Sequence, residues 1–274
     1  MENNQVLKDV VRKKYAEIAT SNQNCGCSCC GTDSGATFDY TIMSDDYSKI
    51  EGYYSEADLG LGCGMPTELA DIKEGNTVLD LGSGAGNDVF IARRIAGEKG
   101  KVIGLDFTDE MIEKARMNAD KLGYNNVEFR KGDIEQMPIG ACTIDVVISN
   151  CVLNLVPDKN KAFSEIFRVL KPGGHFCVSD IVIKGELPKN LMDAAALYTG
   201  CVSGALQKDE YLKIITDCGF SAISIPKEKK IEIPDEIFLA YLSQEELKNL
   251  KNSGMEILSV TVVASKSNNV ACCQ

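Results

Sequence analysis

Val78-Leu-Asp-Leu-Gly-Ser-Gly-Ala-Gly-Asn-Asp88 decides the fold. The apolar residues Val78, Leu79 and Leu81 run into a turn with glycines at 82, 84 and 86, and a helical pattern starts at Val89. Glycines in such a turn let the chain reverse tightly and let its backbone approach a ligand. An acidic residue about 20 positions further on, at the tip of the next strand, can hold both ribose hydroxyls of a nucleoside. Asp106 stands at that position, after Val102, Ile103 and Leu105.

Working outward from this turn, strand and helix patterns alternate. Strands are predicted at 77–81, 101–105, 127–130, 144–149 and 174–183, and helices at 87–97, 109–122 and 159–170. Lys171-Pro-Gly-Gly174 reads as a helix stop and tight turn. Alternation of this kind gives an α/β fold, a Rossmann-like, doubly wound, mostly parallel sheet covered on both faces. After 184 the rhythm changes to helices at 188–199, 208–218, 235–242 and 244–252, with strands near 221–232 and over Ile257 to Ala264. That is a smaller C-terminal α+β part. Upstream, 5–19 is an amphipathic helix, 20–37 a Cys-rich loop expected to be mobile, 45–56 ambiguous with a helix as one option, and Pro66 opens a short helix through Ile72.

The 274 residues carry a net charge of −11. Phosphate binding needs a positive footprint, so nucleic acid and anionic membranes are poor partners. No apolar run approaches the ~20 residues that span a bilayer. The start, Met1-Glu-Asn-Asn-Gln5, lacks the layout of a signal peptide, so a cytoplasmic location is expected. The 12 cysteines are then expected to be mostly thiols.

The glycine turn is spaced G-x-G-x-G, Asp80 lies within the first strand, and Gly132-Asp-Ile134 closes the third. Asp133 can accept from an adenine amino group, and the Ile134 N–H can serve a ring nitrogen. One nucleoside then spans three strand ends. Leu79-Asp-Leu-Gly-Ser-Gly-Ala-Gly86, Gly104-Leu-Asp-Phe-Thr108, Gly132-Asp-Ile134 and Arg168-Val-Leu-Lys-Pro-Gly-Gly174 together resemble the class I S-adenosylmethionine-dependent methyltransferases over 73–183. The resemblance implies that S-adenosylmethionine is held by Gly82, Ser83, Gly84, Gly86, Asp106, Phe107, Asp133, Ile134 and Asn150.

The substrate is read from the cysteines. Cys151 follows the fourth strand, and ligands of open α/β sheets bind beyond the carboxyl ends of the strands. Cys63 and Cys201 sit in glycine-flanked loops, where sulfur can come close to a small ligand. Thiolates select soft centres, and three of them without histidine suit a pyramidal soft ion better than tetrahedral zinc.

Gly62-Cys-Gly-Met-Pro66, Ser149-Asn-Cys-Val-Leu-Asn-Leu-Val-Pro-Asp-Lys159, Ser179-Asp180, Gly200-Cys-Val-Ser-Gly204 and Ile257-Leu-Ser-Val-Thr-Val262 are similar to the arsenite S-adenosylmethionine methyltransferases over 45–265. That resemblance implies arsenite methylation as an arsenic detoxification step. Cys151 and Cys201 would hold trivalent arsenic, with Cys63 as third ligand or redox partner. An upstream cysteine, Cys29 or Cys30, would pair with Cys63, and the choice stays open. Methylated arsenicals would be the products, and thiols such as glutathione, or thioredoxin, would restore the reduced cysteines.

The domain plan becomes 1–44 as helix and Cys-rich loop, 45–183 for the cofactor, 184–266 for arsenic, and 267–274 as a flexible tail. Cys25, Cys27, Cys272 and Cys273 are not explained by the resemblance, and Cys142 has no assigned role. Cys177 and Cys218 read as core and His175 as structural. Two other readings compete: a small-molecule C- or O-methyltransferase with incidental cysteines, and a thiol-rich metalloid-binding protein.

Overall fold

The structure, a computed structural model, describes residues 2–20, 45–188, 191 and 204–270. Among the described residues seven strands form one sheet: β1 Thr77–Leu81, β2 Lys101–Asp106, β3 Val127–Lys131, β4 Ile144–Asn150, β5 Leu170–Lys184, β6 Ser221–Lys230 and β7 Glu256–Ser265. Their order is β3-β2-β1-β4-β5-β7-β6. From β3 to β5 all neighbours run parallel, and β7 runs antiparallel to both β5 and β6. The central strands are buried nearly throughout, as expected of parallel strands covered on both faces.

The described helices are α1 Glu2–Thr20, α2 Pro66–Leu69, α3 Asn87–Ala96, α4 Asp109–Leu122, α5 Lys159–Val169, α6 Lys208–Asp217, α7 Asp235–Leu239 and α8 Gln244–Asn252. One face of the sheet packs Phe163 and Phe176 with Tyr211 of α6, and Phe163 meets Tyr211 edge-on at 5.5 Å between ring centres. The other face packs Phe90 of α3 against Phe129. A third apolar cluster, including Val11, Cys63, Cys151, Leu155, Phe238 and Ile257, ties α1 and the C-terminal helices to the site loops.

Several sequence expectations change. Lys171-Pro-Gly-Gly174 is not a turn between two elements but a bulge inside β5. Ile144 pairs with Leu170 and Val146 already with His175, so the intervening residues loop out of register. Pro172 has no N–H to give the ladder, which makes a bulge the place for it. Residues 45–56 form turns rather than a helix, α2 stops at Leu69, and α7 stops at Leu239. The helix expected over 188–199 lies almost wholly outside the described residues, as do Cys25, Cys27, Cys29, Cys30, Cys201, Cys272 and Cys273.

Cys177 is fully buried in β5, and burial pushes its thiol up to about 12. Cys218 is only partly buried, at the end of α6. Cys142, which had no expected role, is disulfide-bonded. His175 lies 2.6 Å from the Ala70 carbonyl, a structural contact.

Candidate active site

The strand order turns back between β1 and β4, and a cleft opens over the carboxyl ends of the strands there, where open α/β sheets bind ligands. The glycine turn is its floor. Gly82 N and Ser83 N both donate to the Leu105 carbonyl, at 2.7 and 3.0 Å, which hangs the turn on the end of β2. Asp106 takes Gly84 N at 3.0 Å on one oxygen and Thr108 N at 2.9 Å on the other. Its carboxylate therefore braces turn and helix entry, and it lines the cleft.

Of the nine residues expected to hold a cofactor, Gly82, Ser83, Gly84, Asp106, Phe107, Asp133, Ile134 and Asn150 line this cleft. Gly86 does not. It enters α3 at φ +101°, and a Cβ there would stand 2.8 Å from the Phe90 ring and 2.9 Å from the Phe129 ring, so it serves packing. Asp133 is already engaged. Its Oδ2 accepts from Lys8 at 2.6 Å and its Oδ1 from Glu135 N at 2.9 Å.

Asn150 does more than line the cleft. Its Oδ1 accepts from Cys63 N at 3.0 Å and Gly64 N at 3.2 Å, and its Nδ2 donates to the Gly64 carbonyl at 2.8 Å. The same Nδ2 lies 2.6 Å from Tyr47 Oη and 3.2 Å from Asp88 Oδ2. One side chain thus grips the Cys63 loop from the residue directly before Cys151. The glycines flanking Cys63 permit this approach, since a Cβ on Gly62 would stand 2.5 Å from Asn150 Nδ2. From below, Ser259 of β7 donates to the Cys63 carbonyl at 2.6 Å.

Cys151 is held just as firmly. Its N–H donates to the Ser179 carbonyl at 2.7 Å, and its backbone takes the left-handed φ of +60°. That conformation turns the chain sharply out of β4. Cys63 is 1% and Cys151 2% exposed, both belong to the same apolar cluster, and neither is half of a disulfide. Cys151 lines the cleft, and Cys63 does not, although its neighbour Gly62 does. Among the described residues no group of three or more His, Cys, Asp or Glu side chains is arranged to hold a metal ion.

Asp80, Asp88 and Asp106, all buried, ring the turn. Burial pushes Asp88 up to about 6, against hydrogen bonds from Asn150 and Tyr47 that favour its charged form. Burial, then the Asp88 and Asp106 charges, raises Asp80 well above the ordinary range. Burial thus favours the neutral acids here, and a cation placed in the cleft would in turn favour their ionised forms. Sequence reasoning missed Tyr47, Asp88 and the α1 residues Lys8, Val11 and Tyr15, which also line it. Asp88 carried a signal, because it closes the glycine turn. Tyr47 and α1 carried none, since their approach is purely tertiary.

A methyltransferase domain family matches residues 72–219. An arsenite methyltransferase of Halobacterium salinarum is 44% identical over 240 residues, covering 82% of this chain and 60% of that protein. A crystal structure of an arsenic(III) S-adenosylmethionine methyltransferase from Chlamydomonas reinhardtii superposes with a TM-score of 0.65 at 33% identity, over 77% of this chain and 69% of that one. A demethylmenaquinone methyltransferase of Lactococcus lactis is 34% identical over 135 residues, covering 49% of this chain and 54% of that protein. The chain thus spans about three fifths of its Halobacterium relative. Family model, sheet order and glycine turn agree: the chain belongs to the class I methyltransferase domain family, on the branch of the arsenite methyltransferases.

Proposed function

We propose that this protein transfers methyl groups from S-adenosylmethionine to trivalent arsenic held on its own thiolates. The observation that carries the reading is the Asn150 grip. It joins the Cys63 loop to the residue before Cys151, at the edge of the cleft. A quinone C-methyltransferase has no need of such a pair, and the quinone-type relative covers only 49% of this chain.

The cleft suits the cofactor. Ser83 Oγ and Asn87 Oδ1 are buried there with no hydrogen-bond partner among the described residues, an arrangement that a polar ligand relieves. Asp106 would take the ribose, Ile134 N–H and the Gly132–Asp133 turn the adenine, and the Asp80 side of the floor the cationic end. The cofactor supplies an electrophilic methyl on a sulfonium.

The protein's residues hold and orient the substrate. Arsenite exchanges its hydroxyls for cysteine sulfurs, and each thiol proton leaves in a water molecule, so no side chain need act as base. Arsenic bound in this way keeps a lone pair, which must point at the methyl carbon. Fixing that geometry can supply ~7–11 kcal/mol of the barrier. Cys201 is proposed as a further sulfur ligand, and Cys29 or Cys30 as redox partner of Cys63. Attack on the methyl would release S-adenosylhomocysteine and leave the methylated arsenic formally pentavalent. Two cysteine thiols would return it to the trivalent state by closing to a disulfide, which external thiols or thioredoxin would then reduce.

The test combines purified protein, S-adenosylmethionine, arsenite and a thiol, and separates arsenic species by chromatography with element-specific detection. Methylarsenicals are expected in the wild type and absent from Cys151→Ser and Cys201→Ser. Folded wild-type protein that forms none above a no-enzyme control removes the proposal. A Cys151→Ser variant with full turnover removes the ligand assignment.

A further inference from the structure

The residues of α1 that face inward recur at helical spacing: Lys8, Val11, Arg12, Tyr15 and Ala19. Each meets the body of the protein or its cleft. Lys8, Val11 and Tyr15 line the cleft on the side of Phe107, Asp133 and Ile134. Val11 is 3% exposed, in the apolar cluster that also holds Cys151 and Leu155. The Arg12 guanidinium lies 5.2 Å from the centre of the Phe107 ring. Near the helix end, Lys114 of α4 donates to the Ala19 carbonyl at 3.3 Å.

The central contact is the Lys8 ammonium, which donates to Asp133 Oδ2 at 2.6 Å and to Glu135 Oε2 at 2.7 Å. Lys8 and Glu135 are 15% and 9% exposed at the side chain. Glu135 is fixed in turn, because its other oxygen accepts from Asp158 N at 3.0 Å. The two carboxylates raise Lys8 and keep it charged despite its burial. The Asp133 side chain is 43% exposed, so the Glu135 arm, with little solvent and a second hydrogen bond behind it, is the one that resists salt and thermal opening better than a surface pair.

We propose that α1 is part of the cofactor site: Lys8, Val11 and Tyr15 wall in its nucleoside end, and the Lys8 contact with Asp133 and Glu135 holds that wall in place. The inference rests on the cofactor reading above but not on the arsenic reading. A nucleoside bound between Asp106 and Ile134 lies behind α1, so it leaves only when α1 lifts. Lys8 is then a positioning residue whose loss shows first in the dissociation rate.

The experiment measures S-adenosylhomocysteine binding by calorimetry and its release by stopped flow, for the wild type and for Lys8→Met and Lys8→Arg, with no substrate present. Lys8→Met keeps the length and helix preference of the side chain and removes the charge. It is expected to speed release by about tenfold with a smaller effect on association, and Lys8→Arg to restore most of it. Trypsin cleavage at Arg12, Lys13 and Lys14 gives a second readout. Bound nucleoside should slow it several-fold in the wild type and much less in Lys8→Met. Release from Lys8→Met within twofold of wild type, or cleavage unaffected by the nucleoside, overturns the inference. Wild-type protein that binds no nucleoside overturns the cofactor reading itself and this inference with it.

Discussion

Cys151 pays a conformational cost that its neighbours on β4 do not. A residue with a Cβ held at φ +60° is strained by roughly 1–2 kcal/mol, and glycine is not. In ordinary backbone glycine is the less stable choice by roughly 0.5–1 kcal/mol relative to alanine. At this position the order should reverse, with Cys151→Gly more stable than Cys151→Ala by about 1 kcal/mol. Thermal melts of the two variants decide it, and a less stable glycine variant would mean that the left-handed turn is not adopted. Gly64 offers a second case. A Cβ there would stand 2.5 Å from Ser179 Oγ, which is buried and paired with Thr261 Oγ1 at 2.8 Å. Gly64→Ala should cost about 1–3 kcal/mol by urea unfolding and displace the Cys63 loop. At this scale the sequence announced chemistry better than contact. Cys63 and Cys151 stood out because thiols in glycine-flanked or strand-end loops are chemically unusual. The hub that joins them, Asn150, was legible only as a cofactor residue, since no spacing rule says which loop its amide will meet across 87 positions.

Helix α5 ends at Val169 with carbonyls that its own turns cannot satisfy, and β7 supplies the remedy. Lys266, one residue past β7 and 3% exposed, donates from Nζ to the Phe167 and Leu170 carbonyls, both at 2.8 Å. Its ammonium also lies 4.7 Å from the centre of the Phe167 ring. A cation at a helix C-terminus complements the macrodipole as well as the orphan carbonyls. Lys266→Met removes the charge and keeps the stem, and is expected to cost about 2–3 kcal/mol in urea unfolding, with two carbonyls left dry. A change below about 0.5 kcal/mol would show that water reaches them instead. The elements themselves were largely readable. Apolar runs and glycine punctuation gave β1 to β5 and the helices between them to within a few residues. Pro172 misled, because a Pro-Gly-Gly run signals a break equally well for a turn and for a bulge. Lys266 gave no sign, since one lysine after a strand reads as solvated. The period of α1 was plain, but its seat over the cleft depends on Asp133 and Glu135, 125 and 127 positions away.

At the scale of the whole molecule, two sets of carboxylates pull stability in opposite directions as pH changes. Glu128, between Arg130 and Lys101, is held down at about 2, and Lys227 and Lys229 keep Asp45 low against its burial. These groups stabilise the fold above their unfolded values near 4, and that contribution is lost as pH falls through their folded values. The buried set behaves in reverse. Burial pushes Asp180 up to about 7, against the nearby Lys159 charge and a hydrogen bond from Tyr211 at 3.1 Å, and pushes Asp88 up to about 6. Between the unfolded value near 4 and these folded values, the native state binds more protons than the unfolded chain. Stability therefore falls as pH rises through that window and levels off above it. The melting temperature should peak at about pH 4, where the two limbs meet, and decline toward pH 8, opposite to a protein governed by surface ion pairs alone. Asp180→Asn cannot ionise and keeps an oxygen for the Tyr211 hydroxyl. It should remove about 1–3 kcal/mol of the decline between pH 5 and pH 8 and leave the acid limb untouched. Calorimetric scans of both proteins across that range check the sign directly. A wild-type melting temperature that rises from pH 5 to pH 8, or an Asp180→Asn profile parallel to wild type throughout, would mean that Asp180 stays ionised, held by Lys159 as a buried ion pair rather than as a neutral acid.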